Sequence, residues 1–325
     1  MRRREFIAGL GSVAAWPVVA GAQQDGRVRR IAVLLGAAID GSASERFGAF
    51  RDAMAKLGWI EGRNLRFDFR AGGAGGNDPD RIRASAIELV GLAPDAIVSG
   101  TLPATRAMQR QTHDIPIIFA GVGGDPVAAG VVTSIARPEG NVTGFTNLFN
   151  EIGEKWIELL KKAAPRVTRV ALVGASINYI RPAEAVARAL ELQPIRMPVR
   201  DDLELVRAID YFAGQQNGGL VAVPPVVVNR GLLFRLLAQH GLPAIFPDRE
   251  FVTNGGQLMS YGSNWADLFR GVASYVDRVL RGTKVSELPV QHPTKFELLI
   301  NLKTAKALGL TIPETLLATA DEVIQ

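Results

Sequence analysis

Two stretches of the chain combine small residues with helix-capping residues, a pattern that suits the binding of an anionic group. Thr101 follows an apolar run over residues 96–99, and Asp125 follows another over residues 115–120. Each run has the length of a buried strand, and a proline near each capping residue suits the first turn of a helix. Because free amides at helix N-termini attract anions, the sequence predicts a ligand site at the carboxyl edge of a parallel sheet.

The residue patterns that catalysis or metal binding requires are missing from the sequence. There is no cysteine, and the three histidines, His113, His240 and His292, have no metal-ligand spacing. There is no Gly-x-Ser-x-Gly elbow, no dinucleotide-binding Gly-x-Gly-x-x-Gly after the first strand, and no Lys-Ser/Thr ending to the glycine-rich residues 71–76. We therefore predict no catalytic residues, no metal site and no cofactor.

Composition and charge are those of an ordinary globular protein. Of 325 residues, 47% are hydrophobic and 21% charged, and the formal net charge is +5. Basic and acidic residues alternate on the predicted helix faces, and no basic stripe with interleaved aromatic residues is present. We therefore expect no nucleic-acid partner. The chain is long enough for two lobes of about 150 residues.

Residues 1–22 have the organisation of an export signal. A basic start is followed by an apolar segment over residues 7–20 and by the small-residue cleavage site Ala-Gly-Ala at 20–22. This segment is too short for a membrane span, which needs about 20 apolar residues. Arg-Arg-Glu-Phe-Ile at residues 3–7 resembles a twin-arginine signal, and an ordinary Sec signal is the alternative.

The mature chain is expected to be exported, soluble and not lipid-anchored. It has no cysteine that could carry a lipid, and no later apolar stretch is long enough to span a bilayer. An outer membrane would then keep the protein near the cell. This combination points to the periplasm.

Short apolar runs and helical stretches alternate through both halves of the mature chain. In the first half, strands are predicted over residues 31–35 and 65–70, and helices over 43–57 and from Pro79, capped by Asp78, to about residue 90. The second half repeats the alternation, with strands over 169–173, 220–223, 244–246 and 257–260, and helices over 151–162, from Pro182 and over 229–239. This pattern indicates an α/β fold of two doubly wound parallel-sheet lobes, with a ligand cleft between facing carboxyl edges.

Four segments of the sequence resemble one protein family, the substrate-binding proteins of ABC importers in the tryptophan/tyrosine-type group. They are LGWIEGRNLRFDFR at 57–70, IPIIFAGVGGDPVAAGVVTSIARPEGNVTGFTN at 115–147, LPAIFPDREFVTNGGQLMSYG at 242–262 and YVDRVLRGTKVSELPVQHPTKFELLINLKTAKALGLTIPETLLATADEVI at 275–324. The last segment is the most characteristic of the group. The resemblance extends over essentially the whole mature chain.

The resemblance implies a fold like that of type I periplasmic binding proteins, with a hinge of several crossing strands. Lobe 1 would comprise residues 23–145, with residues 263–287 returning to it, and lobe 2 would comprise residues 146–262 and 288–325. The implied function is capture of a small solute, aromatic or carboxylated and amino-acid-like, by a monomer. Closure of the lobes would precede delivery to an inner-membrane ABC permease driven by a separate ATPase.

The same resemblance implies which residues contact the ligand. In the first lobe they are Gly36, Ala37, Gly100, Thr101 and residues 121–125, with Gly121 and Asp125 at the ends of that turn. In the second lobe they are Asn178, Tyr179, residues 224–226, with Pro224 and Val226 at their ends, and Tyr261 with Gly262.

Physical roles can be assigned to four of these residues, three of them with an alternative. The Thr101 hydroxyl and the amides after it suit a carboxylate. Asp125 suits an ammonium group or caps a helix. Tyr179 stacks on a ligand ring or is a loop tyrosine without a partner, and Tyr261 contacts ligand or only packs. The charged residues 248–250 line the hinge or form ion pairs within the chain.

One segment departs from the family pattern, and two other functions remain as alternatives. Residues 224–228 read Pro-Pro-Val-Val-Val where relatives often carry aromatic or polar residues, which predicts an aliphatic wall and a ligand less polar than tryptophan. An exported enzyme on the same scaffold is one alternative. A periplasmic sensor that presents its bound form to a membrane receptor is another. A DNA-binding regulator of related fold is not expected, because no helix-turn-helix precedes the first lobe.

Overall fold

Two β-sheets organise the protein in a computed structural model that describes residues 27–35, 42–72, 78–147, 149–224 and 229–325. The first sheet has five parallel strands in the order β2-β1-β3-β4-β5. Its elements are β1 (Arg29–Leu35), α1 (Ser42–Lys56), β2 (Leu65–Ala71), α2 (Pro79–Gly91), β3 (Ala96–Ser99), α3 (Leu102–Gln111), β4 (Ile117–Val122) and β5 (Val142–Thr146).

The second sheet has seven strands in the order β12-β11-β10-β9-β8-β6-β7. The chain enters it through α4 (Ile152–Ala163), β6 (Arg169–Val173), α5 (Ile177–Ala189), β7 (Gln193–Met197), α6 (Asp202–Ala213), β8 (Gly218–Ala222), α7 (Arg230–His240), β9 (Ala244–Phe246), α8 (Glu250–Thr253) and β10 (Met259–Ser263). It continues through α9 (Trp265–Leu280), a 3₁₀ turn (Val285–Glu287), β11 (Phe296–Asn301), α10 (Leu302–Ala307), α11 (Glu314–Leu317) and β12 (Glu322–Ile324). β11 is antiparallel to β10, and the other neighbouring strands are parallel.

Central strands of both sheets are apolar because helices cover both of their faces. In β1, residues 31–35 are buried, and alternate side chains enter two different core clusters. One cluster contains apolar residues of α1 and α9, and the other contains those of α2 and α3. The predicted α/β architecture of two doubly wound lobes is confirmed.

The first lobe is completed by α9, which lies far along the chain. Its buried face packs against α1 and the first sheet, through Leu268, Phe269, Val272, Ala273, Tyr275, Val276 and Leu280. The strongly amphipathic pattern of this helix supplies the apolar face that the first sheet needs.

Three chain crossings lie side by side between the lobes. Thr146 N–H donates to the Gln291 carbonyl at 2.9 Å, and Asn264 N–H donates to the Lys295 carbonyl at 3.1 Å. The Ser263 hydroxyl donates to the Asn147 carbonyl. These hydrogen bonds join the crossing strands into the hinge.

Two predicted helix starts differ from the structure. No helix follows Asp125, because residues 126–130 form a single turn that ends at Gly130 with φ +65°. Asp125 still caps this turn, since its Oδ1 accepts the Val127 N–H at 2.8 Å. Pro182 does not begin α5 but lies inside it, where its missing N–H removes one helical hydrogen bond. Packing of the preceding turn into the core outweighs that loss.

Residues 190–217 contain two elements that the sequence did not predict. β7 carries a proline and an arginine, and it is the edge strand of its sheet. An edge strand does not need the continuous apolar run that identifies central strands. α6 begins at a recognisable cap, because the Asp201 carboxylate accepts the Glu204 N–H at 2.7 Å.

Candidate functional site

A cavity of about 370 Å³ lies between the lobes. Its walls come from the first turns of α1, which follows β1, from α8 after β9, and from the crossing segments. The lining residues are Glu45, Arg46, Arg249, Glu250, Thr253, Asn254, Asn264, Trp265, Ala266 and Glu297. A volume of this size, with charges of both signs and one aromatic ring, suits a small polar solute that carries an apolar group.

Trp265, the first residue of α9, connects the two lobes. Its indole Nε1–H donates to the Asp248 carboxylate at 2.6 Å, and its ring packs on Gly121 at the end of β4. A Cβ on residue 121 would lie 2.4 Å from the ring, and φ there is +80°, so glycine alone fits both constraints. The Arg46 guanidinium lies 3.9 Å from the ring centroid.

Charged groups of both lobes surround this tryptophan. Arg46, on α1, approaches Glu250 at 3.9 Å, and Glu250 also pairs with Arg230 at 3.2 Å. Burial raises the pKa of Asp248 above its ordinary value, while Arg46 and the indole N–H of Trp265 oppose the rise. The site therefore brings a carboxyl group of the second lobe against an arginine and a tryptophan of the first.

The predicted charged cluster at residues 248–250 forms ion pairs, as one of its two interpretations expected. Arg249 binds Glu297 at 3.0 Å and Glu322 at 2.7 Å, which ties the segment after β9 to β11 and β12. The Asn264 side-chain amide donates to Glu297 at 3.1 Å. Burial raises the pKa of Glu297, and the charge of Arg249 opposes this rise.

A second contact between the lobes lies at the turn after β4. The Gly124 N–H donates to the Tyr179 hydroxyl, and a Cβ on Gly123 would lie 2.7 Å from that oxygen. The side-chain oxygens of Asn147 and Asn150 are buried beside the same turn, and among the described residues neither has a hydrogen-bond partner. This turn is therefore a second place at which residues of the two lobes touch.

The predicted first-lobe residues lie together at the ends of β3 and β4. The Thr101 hydroxyl caps α3 as predicted, accepting the Ala104 N–H at 3.3 Å. Gly100 packs so closely on Leu35 that a Cβ would lie 2.6 Å from its Cδ2. Asp125, at the outer end of the next turn, is exposed.

The predicted second-lobe aromatic residues pack within the lobe. Tyr179 is 4% exposed, and its ring lies edge-on to Trp156 with centroids 5.9 Å apart. Burial raises the pKa of Tyr179, and the Gly124 N–H opposes that rise. Tyr261 stacks on Phe296 with centroids 5.7 Å apart. Tyr179 therefore reaches the first lobe with its hydroxyl, whereas Tyr261 packs on Phe296 and is half-buried.

The remaining predicted residues lie around the same edges. Asn178 is exposed at the start of α5, and Pro224 is half-buried just after β8. Gly262 is buried in β10, where a Cβ would lie 1.7 Å from the Pro247 carbonyl oxygen. Gly36, Ala37 and Val226 lie outside the described residues.

Sequence reasoning missed Arg46 and Trp265. The only signal for them was indirect: Asp248 and Glu250 follow a buried strand and require counter-charges or donors. Arg46 and Trp265 are separated by more than 200 positions, so their proximity depends on the return of α9 to the first lobe.

Two histidines have partners within the chain, and the described residues offer neither a metal-binding group nor a membrane-spanning helix. His240 pairs with Asp210 at 2.7 Å, and His292 Nδ1 lies 3.0 Å from the Thr146 hydroxyl. Within the residues that the structure describes, no group of three or more His, Cys, Asp or Glu side chains could hold a metal ion. Over the same residues, no helix is long and apolar enough to cross a membrane.

The protein consists of two α/β lobes that are joined by crossing strands and have a cavity between them. This arrangement is that of the two-lobed solute-binding proteins. The sequence matches the family of ABC transporter substrate binding proteins over residues 30–324, and the chain belongs to this family. The resemblance noted in the sequence is thus confirmed. The family is one of binding proteins and not of enzymes, as the missing catalytic patterns predict.

Relatives and solved structures agree with this assignment. The chain is 25% identical over 266 residues to a tyrosine-binding protein from Clostridioides difficile, an alignment that covers 80% of this chain and 75% of the relative. It is similar in structure to an ABC domain from Streptococcus pneumonia in complex with L-Trp, with TM-score 0.81, 23% identity, and coverage of 91% and 99%. A ligand-free, open substrate binding protein with adhesive properties from Clostridium difficile gives TM-score 0.70, 22% identity, and coverage of 92% and 100%.

Proposed function

We propose that this protein captures a small amino-acid-like solute, aromatic or carboxylated, between its lobes and delivers it to a membrane permease. The observation that carries the proposal is the inter-lobe cavity of about 370 Å³ with Arg46, Glu250 and Trp265 in its walls. An arginine suits a carboxylate, an acidic side chain suits an ammonium group, and an aromatic ring suits an aromatic or aliphatic body.

The relatives support the same solute class. One is named a tyrosine-binding protein, and a protein of the same fold was solved with L-Trp. The mechanism is a population shift, in which a solute that contacts both lobes stabilises their closed arrangement through its higher affinity for that form. The family resemblance adds Gly100, Thr101 and Gly121 as proposed contacts from the edge of the first sheet, although none of the three lines this cavity.

We also propose that the protein acts in the periplasm and that a permease receives its solute there. Export through the signal at residues 1–22, of twin-arginine type, would place the mature protein in the periplasm, where a permease could receive the solute. Measuring uptake of labelled solute in cells with and without the protein tests this step. Loss of uptake supports delivery to a permease, whereas unchanged uptake with a lost transcriptional response would support the sensor alternative.

The solute class is tested by a thermal-shift screen of residues 23–325. The panel contains L-tyrosine, L-tryptophan, L-phenylalanine and aromatic acids, with L-arabinose and myo-inositol as controls of another chemistry. A solute at a hundredfold excess over its Kd stabilises the folded state by about 2.7 kcal/mol, which raises Tm. A shift with sugars alone, or with no compound of the panel, would contradict the proposed class.

A further inference from the structure

The contact between Trp265 and Asp248 joins groups that belong to different lobes. Trp265 begins α9, and its ring packs on Gly121 and against the first-lobe core. Asp248 lies just after β9 of the second sheet, and it accepts the indole N–H at 2.6 Å. Any movement that separates the lobes must therefore change this hydrogen bond or pull the indole from its position on Gly121.

Arg46 makes two further contacts at this junction, one with each lobe. The Arg46 guanidinium lies on the indole ring at 3.9 Å and approaches Glu250 of the second lobe at 3.9 Å. A hydrogen bond to an ionised carboxylate is stronger than one between neutral groups. Because Asp248 is partly buried, losing the indole donor would leave a poorly solvated carboxylate in the junction.

The protein contains a matched arrangement within a single lobe. Trp59 Nε1–H donates to Asp277 at 2.8 Å, and the Arg281 guanidinium lies 5.7 Å from the centroid of its ring. Both partners belong to the first lobe, since Asp277 is on α9 and Trp59 packs in the same core cluster. Asp277 also accepts from Arg281 Nε at 2.6 Å. Among the described residues, an indole N–H therefore donates to a carboxylate once between the lobes and once inside a lobe.

We propose that Trp265 is an inter-lobe clasp, whose indole N–H bound to Asp248 stabilises the closed arrangement and thereby sets the affinity for the solute. The effect on affinity rests on the proposed function. The effect on lobe arrangement does not, because it concerns the protein without solute. The clasp acts on the population of closed protein, and apparent affinity scales with that population.

The test measures the distance between the lobes directly. The sequence contains no cysteine, so two introduced cysteines can be labelled specifically with spin labels. Ile87 on α2 and Tyr211 on α6 are 54% and 77% exposed, and they lie on different lobes. Pulsed dipolar spectroscopy on I87C/Y211C then reports the distance distribution without solute and with L-tyrosine.

Trp265→Phe keeps an aromatic ring in the cavity and removes the N–H donor. We expect its solute-free distance distribution to shift toward the open population, and its affinity for L-tyrosine to fall about tenfold, which corresponds to about 1.4 kcal/mol. Trp59→Phe is the control, because it removes the same hydrogen bond inside one lobe. Its distance distribution and affinity should match those of the parent.

An unchanged solute-free distribution in Trp265→Phe would overturn the clasp, as would an equal shift in Trp59→Phe. If the parent fails to bind L-tyrosine while Trp265→Phe still shifts the distances, the proposed solute is wrong and the clasp is supported. Asp248→Ala removes the acceptor of the indole N–H and should shift the distances in the same direction. It supplies the decisive comparison if Trp265→Phe does not fold.

Discussion

Two tryptophans of this protein donate their indole N–H to an aspartate, one within the first lobe and the other between the lobes. Trp59 donates to Asp277 at 2.8 Å inside the first lobe, and Trp265 donates to Asp248 at 2.6 Å between the lobes. Trp59 is 5% exposed and belongs to a continuous core, whereas Trp265 borders the cavity. A hydrogen bond inside a lobe contributes to folding stability, while the same bond between lobes contributes to the balance between open and closed forms.

The comparison also explains why the two sites need different neighbours. The Trp265 ring lies on Gly121, where any side chain would collide with it. Glycine at this position lets the indole stay where its N–H reaches Asp248 of the second lobe. At the other inter-lobe contact, the hydroxyl oxygen of Tyr179 meets a glycine turn, and a Cβ on Gly123 would lie 2.7 Å from it.

We expect the largest effect from Gly121→Ala, which displaces the Trp265 indole from its inter-lobe hydrogen bond with Asp248. The new Cβ would meet the Trp265 ring at 2.4 Å, in a backbone conformation with φ +80°. We expect L-tyrosine binding, measured by calorimetry, to weaken by about 2–3 kcal/mol, because the indole must leave Asp248.

Gly130→Ala is the matched control for this substitution. Gly130 has φ +65°, and nothing lies within 4 Å of its added Cβ. It should lose about 1 kcal/mol of folding stability with unchanged binding. Equal affinities for Gly121→Ala and Gly130→Ala would show that the indole contact is irrelevant to binding.

Trp59→Phe removes the hydrogen bond to Asp277 inside the first lobe. It should lower folding stability without changing the affinity for the solute. Removing a donor from a charged acceptor is expected to lower the free energy of unfolding by about 1.5–3 kcal/mol in urea denaturation. Trp156→Phe serves as a comparison, because the Trp156 N–H donates to the neutral carbonyl of Tyr261 at 2.7 Å. Trp156→Phe should lose more than about 1 kcal/mol, because the smaller ring also leaves a cavity in a fully buried core, and unchanged stability in Trp59→Phe would contradict the reasoning.

The smallest expected effect is a pH dependence that sharpens the comparison. The pKa of Asp248 is raised by burial, with Glu250 adding to the rise and Arg46, Trp265 and Arg230 opposing it. A carboxyl group whose pKa is raised in the folded protein contributes most to stability below its ordinary pKa, and this contribution falls as pH rises through the raised value. The free energy of unfolding in urea should therefore fall from pH 4 to 7 more in the parent than in Asp248→Asn. A steeper fall in Asp248→Asn would have the wrong sign.

Much of the first sheet could be predicted from the sequence because its signals are local. Residues 31–35 and 96–99 are apolar on both faces, which identifies buried parallel strands, and the cap at Thr101 needs only its neighbours. The turn at Asp125 was harder. Its cap is correct, but Gly130 ends the turn before a helix forms.

The site itself was less predictable because its contacts are long-range. Asp248 and Trp265 come from different lobes, and Arg46 reaches them only because α9 packs on α1. Tyr179 has the sequence context of a loop, yet packing against Trp156 places it inside a helix and a core. Tertiary contacts of this kind leave no periodic pattern in the sequence.

The late position of α9 has a consequence for the order in which the protein is built. The first-lobe core includes Leu268, Phe269 and Val276, which follow the whole of the chain up to β10. During synthesis, most of the second lobe must therefore emerge before the first lobe can finish its core. A chain interrupted after residue 262 would leave the apolar surface of the first sheet uncovered and prone to aggregation.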